Sequence, residues 1–364
     1  MGNNSHWPQR SWTGIQAPQC ISLMHSAGII YGVINDPGTI TIQGETRVIR
    51  TVTPVGIVAS SCLPFKLYCV YGYYTGPDSL ALELALDNID PYGTLPYHRN
   101  TQPSRIFLGA IWVNGTGSFA SRIRSFYEPA QAAYSSDVYI SGANIPVPYI
   151  GPPYNSYSYL TNDTVRTLMT ERTEIILPNE QVYLSAHIAV SPQQNTVAVS
   201  VGTHENYMAG VTITTVNLTN TATISGFSHS VLVGDYVWIT EIESTQAIKD
   251  KAQQVTAVTP TSISFVDANI TLDETTVCCV LLETNNYNLA SRVAQGDSGV
   301  NLKHIPVQLE GAYFTPLVTE LRNFCLSAQK FSNIGNAYIN YLDQAYLTSS
   351  LRITRDPNKS KLFI

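Results

Sequence analysis

One four-residue motif near the end of the chain could support nucleophilic catalysis. The Gly-Asp-Ser-Gly motif at 296–299 has the composition of a serine-protease nucleophile loop. Ser298 would need a histidine base and an aspartate that orients it, both upstream in that order. Because the motif is also an ordinary turn composition, we interpret it as a polar loop. No upstream histidine lies in the small-residue His-Cys context of such enzymes, and the candidates are His25, His187, His204 and His229.

Acidic and metal-ligating residues give two weaker candidates. Glu83, Asp87 and Asp90 could supply the acid and base of a glycosidase, but the segment around Asp87 and Asp90 is typical of a turn. His204 and Glu205 are adjacent, so on a strand they would face opposite ways and could not easily share a metal. We therefore predict that the protein is not an enzyme and that it has no catalytic residue, cofactor or metal.

The cysteines indicate neither a zinc site nor a redox motif, because no C-x-x-C pair or zinc spacing occurs among them. Cys278 and Cys279 are adjacent in an apolar run, and on a strand they would point to opposite faces. We predict buried free thiols. The six cysteines are Cys20, Cys62, Cys69, Cys278, Cys279 and Cys325.

Tyrosine is unusually frequent and charge is scarce. The chain has 22 tyrosines, and only 13% of its residues are charged, against about a quarter in typical soluble domains. Tyrosine rings bind partner proteins or stack on sugar rings, and we expect packing within or between subunits to outweigh ligand binding. The candidate interface residues are Trp7, Trp12, Tyr73, Tyr74, Tyr149, Tyr154, Tyr157 and Tyr159.

Charge and hydropathy exclude several classes of partner. The net charge is −6 and no long basic block occurs, so we expect no nucleic-acid binding. The chain contains no run of about eighteen apolar residues, so we expect no membrane insertion. Residues 1–14 are polar and lack the apolar region of a signal peptide, which predicts a protein that is made in a cytoplasm and is not exported by that route.

Alternating apolar and polar residues predict strands along most of the chain. Period-two patterns occur at 46–52 and 65–71, and 80–86 alternates in the same way. Between 207 and 283, six short alternating segments separated by polar turns predict a small closed barrel or sandwich. Residues 315–330 are the best helix candidate, because apolar residues recur there at helical spacing behind Thr315 and Pro316.

One block of the sequence resembles a β-sandwich found in phage tail-fibre and virion proteins, in which Leu-Pro, Leu-Glu-Leu and Arg-x-x-Leu-Gly-x-Ile strands recur in this order. A later alternating strand also matches. The segments that carry the resemblance are 63–68, 81–84, 95–97, 104–112, 121–127 and 197–202.

A second block, residues 224–239, is similar to a small β-barrel repeat of phage proteins with the pattern HGL-x-x-GD-x-V-x-I. Its fold is related to the first catalytic-cysteine half-domain of ubiquitin-activating enzymes. The resemblance implies a scaffold and no ubiquitin chemistry.

Together these features predict a mainly β fold: an antiparallel β-sandwich interrupted by a small inserted β-barrel, with one short C-terminal helix. The expected parts are an N-terminal arm (1–14), the sandwich (15–205), the barrel (207–283), a return to the sandwich (286–345, with the helix near 315–330) and a C-terminal arm (346–364). The resemblance implies a phage tail-associated subunit (fibre, adaptor or collar) in the virion.

The expected mechanism is assembly through the terminal arms, and the expected partners are copies of the chain, in a trimer or other cyclic oligomer, and neighbouring virion proteins. A host surface glycan or receptor stays open as a further partner. The alternatives are a head decoration or capsid-associated protein, a particle-borne hydrolase and a carbohydrate-binding module.

Overall fold

The described part of the chain is built almost entirely from β-strands, which confirms the predicted mainly β class. No helix within this part is long and apolar enough to cross a membrane. The computed structural model describes residues 21–34, 38–57, 62–63, 65–90, 97–100, 102–113, 122–126, 134–139, 145–146, 167–178, 180–204, 207–249, 252–282, 286–296, 305–314, 318–331, 335–340 and 349–356.

The strands of residues 21–126 enclose one hydrophobic core, to which Ile21, Val70 and Leu108 belong. They form a sheet β1-β2-β6, a hairpin β3-β4 and a sheet β11-β10-β7-β8-β5, with β9 paired to β10. The bounds are β1 (Ile21–Ser26), β2 (Ile29–Ile34), β3 (Thr39–Ile42), β4 (Glu45–Val48), β5 (Thr51–Thr53), β6 (Val55–Gly56), β7 (Lys66–Tyr74), β8 (Ser79–Ala85), β9 (His98–Arg99), β10 (Gln102–Val113) and β11 (Arg122–Ser125).

Two facing sheets form a second core from β12 (Tyr134–Tyr139), β13 (Ile145–Pro146), β14 (Thr167–Ile176), β15 (Gln181–Pro192), β16 (Thr196–His204), β23 (Asn286–Gln295), β24 (Ile305–Phe314), β25 (Glu320–Lys330), β26 (Ala337–Ile339) and β27 (Ser350–Asp356). The sheet orders are β14-β25-β16-β23 and β12-β27-β15-β26-β13, with β24 also paired to β15. Val199, Phe324 and Leu184 meet in this core. Strands on both sides of the barrel in sequence therefore build one sandwich.

Six strands between the two halves of the sandwich close into a barrel, in the order β17-β18-β21-β20-β19-β22. Each overlaps one of the six segments predicted from alternation. In β21 the apolar Ile263 and Phe265 are buried while the residues between and beside them are not. The bounds are β17 (Tyr207–Val216), β18 (Thr221–Ser225), β19 (Tyr236–Ile242), β20 (Ala252–Thr259), β21 (Ser262–Val266) and β22 (Glu274–Leu282).

The predicted C-terminal helix is wrong over residues 320–330, which form strand β25. This strand pairs with β14 on one side and with β16 on the other. Phe324, Leu326 and Ala328 face the sandwich core, while Cys325 and Ser327 are buried on the opposite face. Burial of both faces removes the alternation of a strand, so the apolar positions mimic helical spacing. Residues 315–317 lie outside the described part.

The predicted C-terminal arm also differs from the structure. Ser350–Asp356 forms strand β27, which lies between β12 and β15. Leu351 and Ile353 are fully buried in the sandwich core. The basic residues of this segment predicted an exposed arm. The segment forms a strand because burial of the alternating Leu351 and Ile353 stabilises the sheet. Residues 357–364 and the N-terminal arm 1–14 lie outside the described part.

Strand β10 contains a bulge that changes which of its side chains face the first core. Phe107 pairs with Tyr71 and Gly109 pairs with Val70, so Leu108 is the extra residue. Ile106 and the extra residue Leu108 both face the first core. After the bulge, the odd-numbered Ile111 and Val113 take over that face. The bulge therefore exchanges the faces of the odd- and even-numbered side chains and turns Ala110 and Trp112 away from the first core.

The opposite face of β10 forms a second cluster, here called the junction cluster. Its members come from the first unit (Phe65, Cys69, Tyr71, Phe107, Ala110, Trp112), from β14 and the residue that follows it (Ile175, Leu177) and from the barrel strand β22 (Cys279), among others. Trp112 Nε1 also donates to Glu241 Oε2 of the barrel at 3.4 Å. The junction cluster thus packs all three parts of the fold against one sheet.

Gly109 should be the least replaceable residue of β10. Its φ is +153° and an added Cβ would lie 2.0 Å from the Arg124 carbonyl oxygen. We expect Gly109→Ala to lower the free energy of unfolding by about 2 kcal/mol or more.

Gly44→Ala is the matched control, because φ there is +80° but nothing lies within 4 Å of the new Cβ. Its cost should be roughly 1 kcal/mol, from the left-handed backbone alone. Denaturant unfolding measures both values, and equal losses would contradict the steric role of Gly109.

Candidate functional site

Two of the eight predicted interface residues lie in the described part of the chain, and both line a surface recess. Tyr73 and Tyr74 end strand β7, where the β3-β4 hairpin lies against it. Trp7, Trp12, Tyr149, Tyr154, Tyr157 and Tyr159 lie outside the described residues, so their interface role stays a prediction. The recess has a volume of about 210 Å³ and is lined by Ile42, Gln43, Glu45, Tyr73, Tyr74, Ser104 and Arg105.

A tight turn at the tip of the hairpin forms one wall of the recess. Gln43 and Gly44 have φ values of +53° and +80°. Positive φ at two successive central residues matches the twist of a two-residue hairpin. Ile42 then pairs with Glu45, so the turn presents the side chains of Gln43 and Glu45 close to β7.

Tyr74 ties this hairpin to the sheet. Its hydroxyl lies 2.7 Å from the Ile40 carbonyl oxygen and 3.0 Å from that of Glu45. Arg47 stacks on the ring, with Cζ 4.2 Å from the ring centroid. Burial raises the pKa of the Tyr74 phenol, which keeps the hydroxyl protonated as a donor. The hydroxyl and the stacked ring together fix the position of the wall.

Arg47 is held in place by three further hydrogen bonds. Its Nε and Nη2 donate to the two carboxylate oxygens of Glu45 at 2.8 and 2.9 Å. Nη1 donates to the Gly76 carbonyl oxygen at 2.7 Å. Such a bidentate pair fixes the geometry of both side chains. The Arg47 charge is therefore balanced within the wall itself.

Arg105 forms the opposite wall by stacking on Tyr73, with Cζ 3.9 Å from the ring centroid. Its Nε donates to Glu83 Oε2 at 2.6 Å. Arg99 Nη1 donates to the other oxygen of Glu83, and Arg99 Nη2 donates to Asp87 Oδ2 at 2.5 Å. The arginines therefore pair with two of the three carboxylates that the sequence offered as a glycosidase acid and base. Asp90, the third, is exposed.

The candidate serine nucleophile cannot be placed, because Ser298 lies outside the described residues. The upstream histidines occupy separate elements. His25 is on β1, His187 is exposed on β15, and His229 on a barrel loop makes a 3.0 Å hydrogen bond through Nε2 to the Ser262 carbonyl oxygen. His204 ends β16, next to the boundary of the described part. Hydrolase chemistry at 296–299 stays an alternative prediction.

The described cysteines are free thiols, as the sequence predicts. Cys69, Cys278, Cys279 and Cys325 are buried, and Cys62 is partly buried. Burial raises the pKa of the Cys69 thiol to about 11, which disfavours the reactive thiolate. Within the described part of the chain, no group of three or more His, Cys, Asp or Glu side chains could hold a metal ion.

Sequence reasoning found the tyrosines of the recess but missed its arginines. Glu45 and Arg47 are two residues apart on β4, so their side chains lie on the same face of the strand. This spacing is a weak local indication of an ion pair. Arg105 lies on β10, 31 residues further along the chain than Tyr74, and no local pattern joins it to Tyr73. Only the pairing of β7 with β10 brings them together.

Comparison with known proteins leaves this chain without an assigned family. No protein-family model matches the sequence, and no curated protein is significantly similar to it. The resemblance to phage sandwich and barrel modules therefore remains a prediction.

Removal of one hydroxyl group tests the tie between hairpin and sheet. We expect Tyr74→Phe to lower the free energy of unfolding by about 1 kcal/mol, because the carbonyl oxygens of Ile40 and Glu45 lose the one phenol proton that they share. Tyr73→Phe is the matched control and should change stability by less than about 0.5 kcal/mol. Thermal or denaturant unfolding gives both values, and a similar loss in the two variants would show that the Tyr74 hydroxyl has no special role.

The partly buried His98 on β9 should make stability depend on pH. Burial lowers the pKa of His98 below its ordinary value of 6.5, so the unfolded chain binds the proton more readily than the folded chain does. The stabilising contribution of neutral His98 is present above pH 6.5. It is lost as the pH falls from there through the lower folded pKa.

We expect His98→Gln to reduce the loss of unfolding free energy between about pH 7 and pH 5. His187→Gln, on an exposed part of β15, should leave that loss unchanged. Denaturant unfolding at a series of pH values measures the difference. If the unfolding free energy of His98→Gln depends on pH as strongly as that of the wild-type chain, this role of His98 is contradicted.

Proposed function

We propose that the chain is a non-enzymatic structural subunit of a virus particle and that it assembles as a homo-oligomer with neighbouring virion proteins. The virus particle follows from the sequence resemblance alone, and the observation that supports assembly is an exposed apolar face on the β1-β2 hairpin. Met24 is 54% exposed, Tyr31 38% and Val33 37%. Met24 pairs with Tyr31 and Ser22 with Val33, so these apolar side chains share the outer face of the sheet.

A second copy of the chain is the proposed occupant of this face. Residues 1–20 join β1 directly at Ile21 and carry Trp7 and Trp12, the aromatic residues of the predicted arm. Exchange of such arms buries aromatic side chains, which contribute much of the binding energy at protein interfaces.

The ion pairs around the recess favour a structural role over a hydrolase. Glu83 and Asp87 are both held by Arg99, and Glu83 also by Arg105. The arginines therefore contact carboxylate oxygens that a general acid or base would have to present to a substrate. The low charge of the chain, 13% of residues, supports the same proposal, because interface cores are depleted of charged residues.

A position on the tail, as a fibre, adaptor or collar, follows from the sequence resemblance alone, and a head-associated subunit is the alternative. Both positions require assembly, so the mass of the purified chain tests the requirement that they share.

Light scattering on the purified chain at micromolar concentration should give a multiple of 39.9 kDa. Replacing both Met24 and Tyr31 by serine should shift the mass toward that of one chain, because the apolar face loses its favourable burial. Val293→Ser is the control, since Val293 is similarly exposed at 53% but lies on β23.

A monomeric wild-type chain at this concentration would overturn the assembly proposal. Dissociation of the control variant as well would show that the β1-β2 face is not the interface.

A further inference from the structure

The recess beside Tyr73 and Tyr74 offers polar groups that the described part of the chain does not use. The Tyr73 hydroxyl, the Gln43 side-chain amide and Arg105 Nη2 have no hydrogen-bond partner among the described residues. All three side chains line the same recess. Among the described residues, the Arg105 guanidinium donates only through Nε, to Glu83 at 2.6 Å, and through Nη1, to Ser104 Oγ at 3.5 Å. Donors and acceptors therefore converge on one small volume.

The charges of the recess are already balanced. Glu45 pairs with Arg47, and Glu83 pairs with both Arg105 and Arg99. Because each of these arginines is already paired with a carboxylate, the recess presents no surplus charge that would favour a charged ligand. The recess therefore suits a neutral ligand that both donates and accepts hydrogen bonds.

The aromatic rings add a requirement for an apolar surface on the same ligand. Tyr73 and Tyr74 line the recess together with Ile42. Their orientations are fixed by the stacked Arg105 and Arg47, so little conformational entropy is lost on binding. A ring with C–H groups on one face and hydroxyl groups at its edge matches this combination.

The volume of the recess limits the size of the ligand that it can bind. The volume of about 210 Å³ is smaller than the pockets that bind drug-sized ligands, which range from about 300 to 1,000 Å³. One six-membered sugar ring is of the corresponding size. A protein partner would need a contact surface of about 800 Å², far more than the recess supplies.

We propose that this recess binds one neutral pyranose ring of a glycan. Tyr73 supplies the stacking surface, and Gln43 and Arg105 bind the hydroxyl groups at the ring edge. This inference goes beyond the assembly proposal and does not depend on it, since the recess lies on β3, β4, β7 and β10 and the proposed interface lies on β1 and β2.

Saturation-transfer NMR on the full chain tests the inference with glucose, galactose and N-acetylglucosamine, each at roughly 10 mM because a single ring binds weakly. N-acetylneuraminic acid, which carries a carboxylate, is the charged comparison. We expect signal transfer to at least one neutral sugar. Absence of transfer to all three, or transfer to the charged sugar alone, would overturn the proposal.

Two variants locate the binding. Tyr73→Ala should weaken affinity for the neutral sugar about tenfold through loss of the aromatic surface. Gln43→Gly removes the amide while glycine keeps the positive φ of the turn, so the fold is retained and the signal should fall. If Tyr73→Ala does not fold, Gln43→Gly carries the test. Unchanged binding in Gln43→Gly, or in a folded Tyr73→Ala, would place any sugar elsewhere and contradict the proposal.

Tyr31→Ala is the matched tyrosine control, because Tyr31 lies on the β1-β2 face outside the recess. It should leave the sugar signal intact. The mass by light scattering, measured on the same samples, reports assembly separately, so a failure of sugar binding and a failure of assembly are distinguishable. Equal loss of signal in Tyr31→Ala and Tyr73→Ala would contradict the assigned site.

Discussion

The bulge in β10 is the constraint on which the arrangement of the three parts depends. A regular strand alternates its faces, so consecutive apolar residues divide strictly between two sides. The extra residue Leu108 resets that alternation, and Gly109 makes the close approach to the Arg124 carbonyl oxygen sterically possible. The strand can then fill the first core on one side and the junction cluster on the other. Without the bulge, Trp112 would face the wrong side.

The junction cluster connects the barrel and the sandwich to this strand. Cys279 from the barrel, Ile175 from β14 and Trp112 from β10 are all buried there. Arg122 adds a polar link, because it contacts Glu241 of the barrel at 3.4 Å and donates to the Thr173 carbonyl oxygen. Barrel and sandwich thus both pack on the β10 sheet. A substitution that disturbs the packing of this sheet should therefore affect the packing of all three parts.

The same packing supports the recess. The middle of β7 is anchored in the junction cluster by Cys69 and Tyr71, and its end carries Tyr73 and Tyr74. A binding surface at the end of a strand that is buried on both faces is held more rigidly than one on a long loop. This rigidity supplies the pre-organisation that the proposed binding of a single sugar ring requires.

The sequence by itself determined the β class and the six strands of the barrel, because alternation is a local property that each strand shows independently of its neighbours. It did not determine β25, which is buried on both faces and so lacks alternation. It also identified Tyr73 and Tyr74, but the pairing of β7 with β10 placed Arg105 on Tyr73. The bulge, the junction cluster and the recess all join residues far apart in the chain. Only the tertiary structure could decide them, since sheet register and packing determine which distant side chains meet.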